Sequence, residues 1–209
     1  MKTKLATDIF DHWAINGKDK GMEEGHSLSA DRMIEIAYKK ISNRKFGFSV
    51  LDVGCGNGWM LRKILSNFPN STGMGVDGAI SMIENAKQRD PSGNYIHADL
   101  DSWENNKKFD LIISMEVIYY LNDLEKFIRS LFENSFNKEG IIVVGMDHYK
   151  ENTQSLSWPK NLNVHMNTLT IDQWVNLFIS AGFSDVEYEQ FNRKKDWAGT
   201  LIISGIYSG

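Results

Sequence analysis

A doubly wound α/β domain built on a seven-stranded, mostly parallel sheet is the fold class that the sequence predicts, and three observations carry it. From Phe48 to Met146, short β-branched runs alternate with segments whose apolar residues recur every three or four positions, the pattern of strands joined by crossover helices. The strand candidates are apolar on both faces, as in GIIVVGM from Gly140 to Met146, so both sides of the sheet need cover. At the end of the chain two strand-like runs follow one another with no helix between them, so they should pair as an antiparallel hairpin on the sheet edge.

Taken in order, a weak helix is expected over Leu5 to Trp13. A second should run from about residue 29 to 42, capped by Ser29, with Ala30, Ile34, Ala37 and Ile41 on one face. Between them GMEEGH, Gly21 to His26, reads as a linker or part of a site. Phe48 to Val53 is the first buried strand, and Met60, Leu61, Ile64, Leu65 and Phe68 mark the helix after it. A strand at Gly73 to Val76, a helix at Ala79 to Arg89, and strands at Asn94 to His97 and Phe109 to Ile113 continue the alternation. Leu124, Phe127, Ile128, Leu131 and Phe132 form the clearest helical stripe, and GIIVVGM is the fifth strand. Asp147 to Leu169 has neither period; long loops of that kind are usually functional or disordered. Thr170-x-x-Gln173 has the form of a capping box for a helix that Gly182 ends. Asp185 to Phe191 and Thr200 to Tyr207 are the closing hairpin.

With 209 residues, 42% of them apolar and three prolines, the chain reads as a single domain, residues 1–209. A net charge of −4 disfavours a nucleic-acid partner and favours a small-molecule one. Cys55 is the only cysteine, which leaves no intrachain disulfide and suits a reducing compartment. No segment approaches the ~20 apolar residues of a membrane span, and the amino end lacks the apolar core of a signal peptide. The expectation is a cytoplasmic protein with no membrane partner; its oligomeric state stays open.

The first strand runs into LDVGCGNGW, with glycines at 54, 56 and 58 and an acid at Asp52. A strand, a glycine turn and a helix make a cofactor site, because glycine lets backbone approach a ligand and the helix start offers free amides. A dinucleotide fingerprint would need glycine where Trp59 stands. Asp52 would repel a pyrophosphate but could accept from the ammonium of an amino-acid-like ligand.

These features resemble the class I S-adenosylmethionine-dependent methyltransferases, through VLDVGCGNG, GMGVD, IHADL and FDLIISMEVIYYL in that order. The resemblance implies a Rossmann-like methyltransferase fold and S-adenosylmethionine as cofactor. It places Asp52, Gly54, Cys55, Gly56, Met115 and Glu116 at the methionine end and Asp77 at the ribose. Gly78, Ala79, Met82, Ala98, Asp99 and Leu100 go to the adenine end, and Trp13 joins the cofactor contacts. For Asp77 and Asp99, a helix cap or a turn is the competing role.

The segment after the fourth strand, SMEV, lacks an Asn/Asp-Pro-Pro-aromatic motif, and Cys55 is committed to the glycine loop, so base-modifying activities are disfavoured. What remains is transfer to an O, N or S nucleophile of a small molecule, with a non-catalytic cofactor-binding protein as the rival. Candidate catalytic residues are His26, Glu116, Tyr119 and Tyr149; candidate substrate contacts are Glu23, His26, Tyr120, His148 and Trp158. Aromatics with acids would suit an amine. Core packing competes for Tyr119, Tyr120 and Trp158, and a solvated loop position for His148. Asp147 and His148 alone are too few for a metal, so none is expected. The chain also resembles a small-molecule prokaryotic subgroup through GMEEGH, SMEVIYY, Tyr149 to Trp158 and Gly199 to Leu201. Residues 1–45 are thus expected to form a helical cap or lid, hinged at Gly21 and Gly25, and 147–169 a substrate-side loop.

Overall fold

The computed structural model describes residues 3–41 and 47–209; the expected helix end at residue 42 and the cap boundary at 45 lie outside them. Seven strands form one sheet: β1 Ser49–Val53, β2 Thr72–Asp77, β3 Tyr95–His97, β4 Phe109–Met115, β5 Phe136–Met146, β6 Ser184–Phe191 and β7 Thr200–Ile206. Their order is β3-β2-β1-β4-β5-β7-β6. The strands β1 to β5 are parallel, and β7 runs antiparallel between β5 and β6. The helices are α1 Ala6–Ile15, α2 Asp19–Ile41, α3 Trp59–Asn67, α4 Ile80–Arg89, α5 Leu124–Asn134, α6 Trp158–Leu162 and α7 Ile171–Ala181.

Alternation along the strands divides the core into two layers. Val50, Leu111, Ile113, Ile141 and Val143 pack with α2, α3 and α4 on one side. Leu51, Val53, Ile112, Ile142 and Val144 pack with α5 and α7 on the other. This is the burial that the apolar strands demanded. Thr170 and Gln173 form the expected capping box, and Gly182 ends α7 at φ 115°.

The amino-terminal third departs from expectation. GMEEGH is neither linker nor loop: α2 begins at Asp19 and carries Gly21 and Gly25 in regular helix. Both glycines cost about 1 kcal/mol relative to alanine there, and tertiary bonds offset this. Buried Asp19 accepts from Asn57 Nδ2 at 2.8 Å and from Arg89 Nη2 at 2.7 Å, pinning the first turn of α2 to the glycine loop and the end of α4. Ser29 is no cap but a buried mid-helix residue, its Oγ 2.7 Å from Thr200 Oγ1. The loop from Asp147 to Leu169 is folded too, with a 3-10 turn at Thr153–Ser155 and the short α6. Among the described residues, no helix is long and apolar enough to cross a membrane.

Candidate functional site

Strand order reverses between β1 and β4, and ligands of open α/β sheets bind beside such a switch point. There the structure has a cavity of about 490 Å³. Its floor is the carboxyl ends of β1, β2 and β4; its roof is Lys4 to Phe10 with Met22 and His26 of α2. The roof is tied to the far loop, since the Lys4 N–H donates to the Asn163 carbonyl at 2.9 Å and Lys4 bridges Val164. The two expected caps, 1–45 and 147–169, therefore meet.

The glycine loop needs its glycines. Gly54 sits at φ 74°, and a Cβ there would lie 2.2 Å from Val117. At Gly56, φ 52°, the nearest outside atom is Met82 Sδ at 3.9 Å, so the left-handed backbone alone requires glycine while the space above stays open. Beneath lies Asp52, 1% exposed, whose Oδ2 has no partner. Burial first, then the charge of Asp77, pushes its carboxyl up to about 7. A buried acid in that state is suited to a cationic ligand group. Asp77 Oδ2 accepts from the Gly56 N–H at 2.9 Å and Oδ1 from the Ala79 N–H at 2.8 Å; burial also raises its pKa. Each oxygen retains a second lone pair for a ligand hydroxyl.

Of the remaining expected cofactor contacts, Cys55, Gly78, Met82, Asp99, Leu100 and Met115 line the cavity. Three do not. Ala79 is buried under the start of α4, Ala98 continues β3 with its N–H on the Asp77 carbonyl, and Trp13 packs edge-on against Phe10, which does line it. Asp99 is exposed and also accepts from the Asp101 N–H, so its turn role is real.

His26, Glu116 and Tyr120 form a further part of the wall; Glu116, expected at the methionine end, does adjoin the glycine loop, since Val117 beside it abuts Gly54, and it also faces His26. Glu116 follows β4 at φ 61°, a conformation costing a non-glycine residue about 1–3 kcal/mol. Its Oε2 accepts from the buried Tyr119 hydroxyl at 2.8 Å and its Oε1 from the Asp147 N–H at 2.5 Å. Burial, then the charge of Asp147, raises the Glu116 pKa well above the usual carboxylate value. His26 Nδ1 is 3.7 Å from Asp147 Oδ2, and burial outweighs that carboxylate to lower the imidazole pKa.

The remaining expected site residues belong to the scaffold. His148 is wholly buried, not solvated: its ring nitrogens lie 3.1 Å from the Ser155 carbonyl and 2.9 Å from Thr168 Oγ1. Trp158 stacks on that ring. Tyr149 donates to the Gly199 carbonyl and accepts from Gln190 Nε2, both at 2.9 Å. None of these three lines the cavity, nor do Glu23 and Tyr119, although Tyr119 holds Glu116. His148 and Tyr149 thus have their polar groups satisfied within the loop and on β6 and the residue before β7. Sequence reasoning missed Lys4, Thr7, Phe10, Asp19, Asn57 and His165 on the walls. Only Asn57, inside the glycine motif, carried a signal.

Residues 19–188 match a family model described as a methyltransferase domain. The chain belongs to that family. Its sheet and helices are those of the class I S-adenosylmethionine-dependent methyltransferases. Among curated relatives it is similar to malonyl-[acyl-carrier protein] O-methyltransferase 1 of Ilyobacter polytropus, 31% identical over 122 residues covering 56% of this chain and 46% of that one. It is 30% identical over 115 residues to the ubiquinone biosynthesis O-methyltransferase of Rickettsia typhi, covering 53% and 44%. The chain thus spans less than half the length of these two relatives. Among solved structures, a complex between the Haloferax volcanii Trm112 methyltransferase activator and a methyltransferase matches with a TM-score of 0.81 at 24% identity, over 96% of this chain and 98% of that one. This likeness is one of fold.

Proposed function

We propose that this protein transfers a methyl group from S-adenosylmethionine to a nucleophilic atom of a small molecule, by in-line displacement. Of oxygen, nitrogen and sulfur acceptors we take oxygen, the atom named in the two curated relatives above. The observation that carries the reading is that one cavity is lined by two unlike groups of residues: Asp52, Gly56 and Asp77, and His26, Glu116 and Tyr120.

The first end fits the cofactor. The orphan Asp52 Oδ2 would accept from the ammonium of its methionine part, the Asp77 oxygens from ribose hydroxyls, and Leu100 with Asp99 would border the adenine. Bound there, the cofactor supplies a methyl group already activated by a sulfonium. The chain's own task is to align the acceptor and exclude water. Met115 and residues of the segment from Lys4 to Phe10 line the same cavity. His26, whose pKa burial lowers, and Glu116 are the basic groups on the cavity wall available to an acceptor hydroxyl.

Purified protein incubated with S-adenosylmethionine and metabolite extract should release S-adenosylhomocysteine above a heat-killed control and yield a product heavier by one methyl group. Calorimetry should show S-adenosylhomocysteine binding that Asp77→Ala weakens at least tenfold. Unchanged affinity in that variant would overturn the cofactor placement.

A further inference from the structure

Two buried carboxylates beside one imidazole at the acceptor end call for a positive charge. Among the described residues, neither Glu116 nor Asp147 is paired with a lysine or arginine; the only basic group facing them is His26. Three elements far apart in sequence deliver them: α2 brings His26, the end of β4 brings Glu116, and the end of β5 brings Asp147. One donor atom from each lies within 4.8 Å of the others.

We propose that His26, Glu116 and Asp147 form a binding site for a divalent transition-metal ion at the acceptor end of the cavity. One nitrogen and two carboxylate oxygens, with no sulfur, suit manganese(II), iron(II), cobalt(II) or zinc(II). At metal–ligand distances of roughly 2.0–2.2 Å, neighbouring donors stand about 3–3.6 Å apart; His26 Nδ1 and Asp147 Oδ2, 3.7 Å apart, are close to that spacing, and side-chain shifts of up to about an ångström bring the third donor in.

A second observation is independent of this clustering. Asp147 is only 6% exposed, and although the Thr200 hydroxyl faces its carboxylate, Oδ1 is buried with no partner. An unpaired buried carboxylate oxygen is costly, and an ion supplies its missing partner. The surrounding bonds orient the donors as metal sites require: Tyr119 holds one Glu116 oxygen and the Asp147 amide the other. Because His26 and Glu116 line the cavity, the ion's remaining coordination positions face the acceptor.

The inference rests on the proposed oxygen acceptor and explains how it is tolerated. Two carboxylates would repel an oxygen that becomes anionic as it loses its proton; a doubly charged cation cancels them and ligates that oxygen. Bound to the ion, the acceptor hydroxyl is acidified and gives its proton to solvent water, and His26 is a ligand; in the metal-free protein His26 keeps the role of base proposed above.

Cobalt(II) titrated into the untagged, chelator-treated full chain tests the site by calorimetry and visible absorption. One equivalent should bind with micromolar or tighter affinity and give d–d bands, and His26→Ala and Asp147→Asn should each weaken binding at least tenfold. Circular dichroism and S-adenosylhomocysteine affinity monitor the fold of each variant. If a variant fails to fold, manganese(II) added to the unmodified chain should broaden the NMR signals of the His26 ring more strongly than those of exposed His12, which does not line the cavity. Binding no tighter than millimolar, binding indifferent to both folded variants, or broadening that bypasses His26 would overturn the proposal. Cofactor binding without metal binding would remove the ion and leave the methyltransferase reading standing; metal binding without cofactor binding would do the reverse.

Discussion

Replacing Asp52 by asparagine separates what this residue costs the fold from what it offers a ligand. Burial and the neighbouring charge of Asp77 raise its carboxyl from 3.8 to about 7. One pKa unit corresponds to about 1.4 kcal/mol, so the ionised form destabilises the folded chain by roughly 4 kcal/mol. The sign follows from the direction of the shift. Since the folded-state pKa is raised, the penalty is absent below the unfolded pKa, grows as pH rises, and is complete above the folded pKa. Asparagine has no such dependence. At alkaline pH the variant should be the more stable protein, its gain reduced by about 1–3 kcal/mol for the unpartnered amide. That offset does not depend on pH, so the gap should widen by roughly 3 kcal/mol between about pH 5 and pH 8. Urea denaturation of both proteins at the two pH values measures it, and calorimetry with S-adenosylhomocysteine measures the other side. A neutral amide cannot supply the charge, so affinity should collapse in D52N. In the unsubstituted protein affinity should fall about tenfold per pH unit below 7 as the acid takes up its proton. A stability gap equal at both pH values, or undiminished affinity in D52N, would refute the reasoning.

Three further outcomes follow from the geometry. His26→Ala should lower turnover about a hundredfold or more while leaving S-adenosylhomocysteine affinity within about twofold; steady-state kinetics beside calorimetry decides it, and unaltered turnover would return His26 to a packing role. Gly21→Ala with Gly25→Ala should raise the melting temperature, each gaining about 1 kcal/mol of helix stability, because a Cβ at either position meets nothing within 4 Å; lost turnover in the stabilised protein would restore the hinge. Tyr149→Phe should cost about 1–3 kcal/mol through its bonds to Gly199 and Gln190, read by denaturation, with kcat of the folded fraction preserved; a collapse of kcat would put Tyr149 back in the chemistry.

Strand and helix order was legible because buried parallel strands are written as continuous apolar runs, and the period separates them from helices. The glycine-loop wall of the cavity was legible because Gly54, Gly56 and Asp77 lie within a few residues of their own strand ends. The start of α2 was not. Its two glycines read locally as breaks, whereas the bonds that hold it helical come from Asn57 and Arg89, 38 and 70 residues downstream of Asp19. The burial of His148 and Tyr149 was hidden for a related reason: polar and aromatic residues in a long loop look like substrate contacts, but a buried loop has to find partners for its polar groups. These two do so through Ser155, Thr168, Gly199 and Gln190.

The four short motifs of the subgroup therefore have unequal jobs, and the division bears on how acceptor specificity arises. GMEEGH and SMEVIYY put His26, Glu116 and Tyr120 on the cavity wall. The stretch from Tyr149 to Trp158 and the run Gly199 to Leu201 never reach it. They fix the frame: Gly199 receives Tyr149, and Thr200 meets Ser29 on α2 three residues after His26. β7, the one antiparallel strand, thus sits behind both Asp147 and α2, registered with β5 through Met146 and Leu201. Direct packing of α2 on β5 brings His26 and Asp147 together, and the Ser29–Thr200 bond adds a second tie through β7. Substitutions at Ser29 or Thr200, which touch no ligand, should consequently alter the acceptor end while leaving the Asp52 and Asp77 end intact.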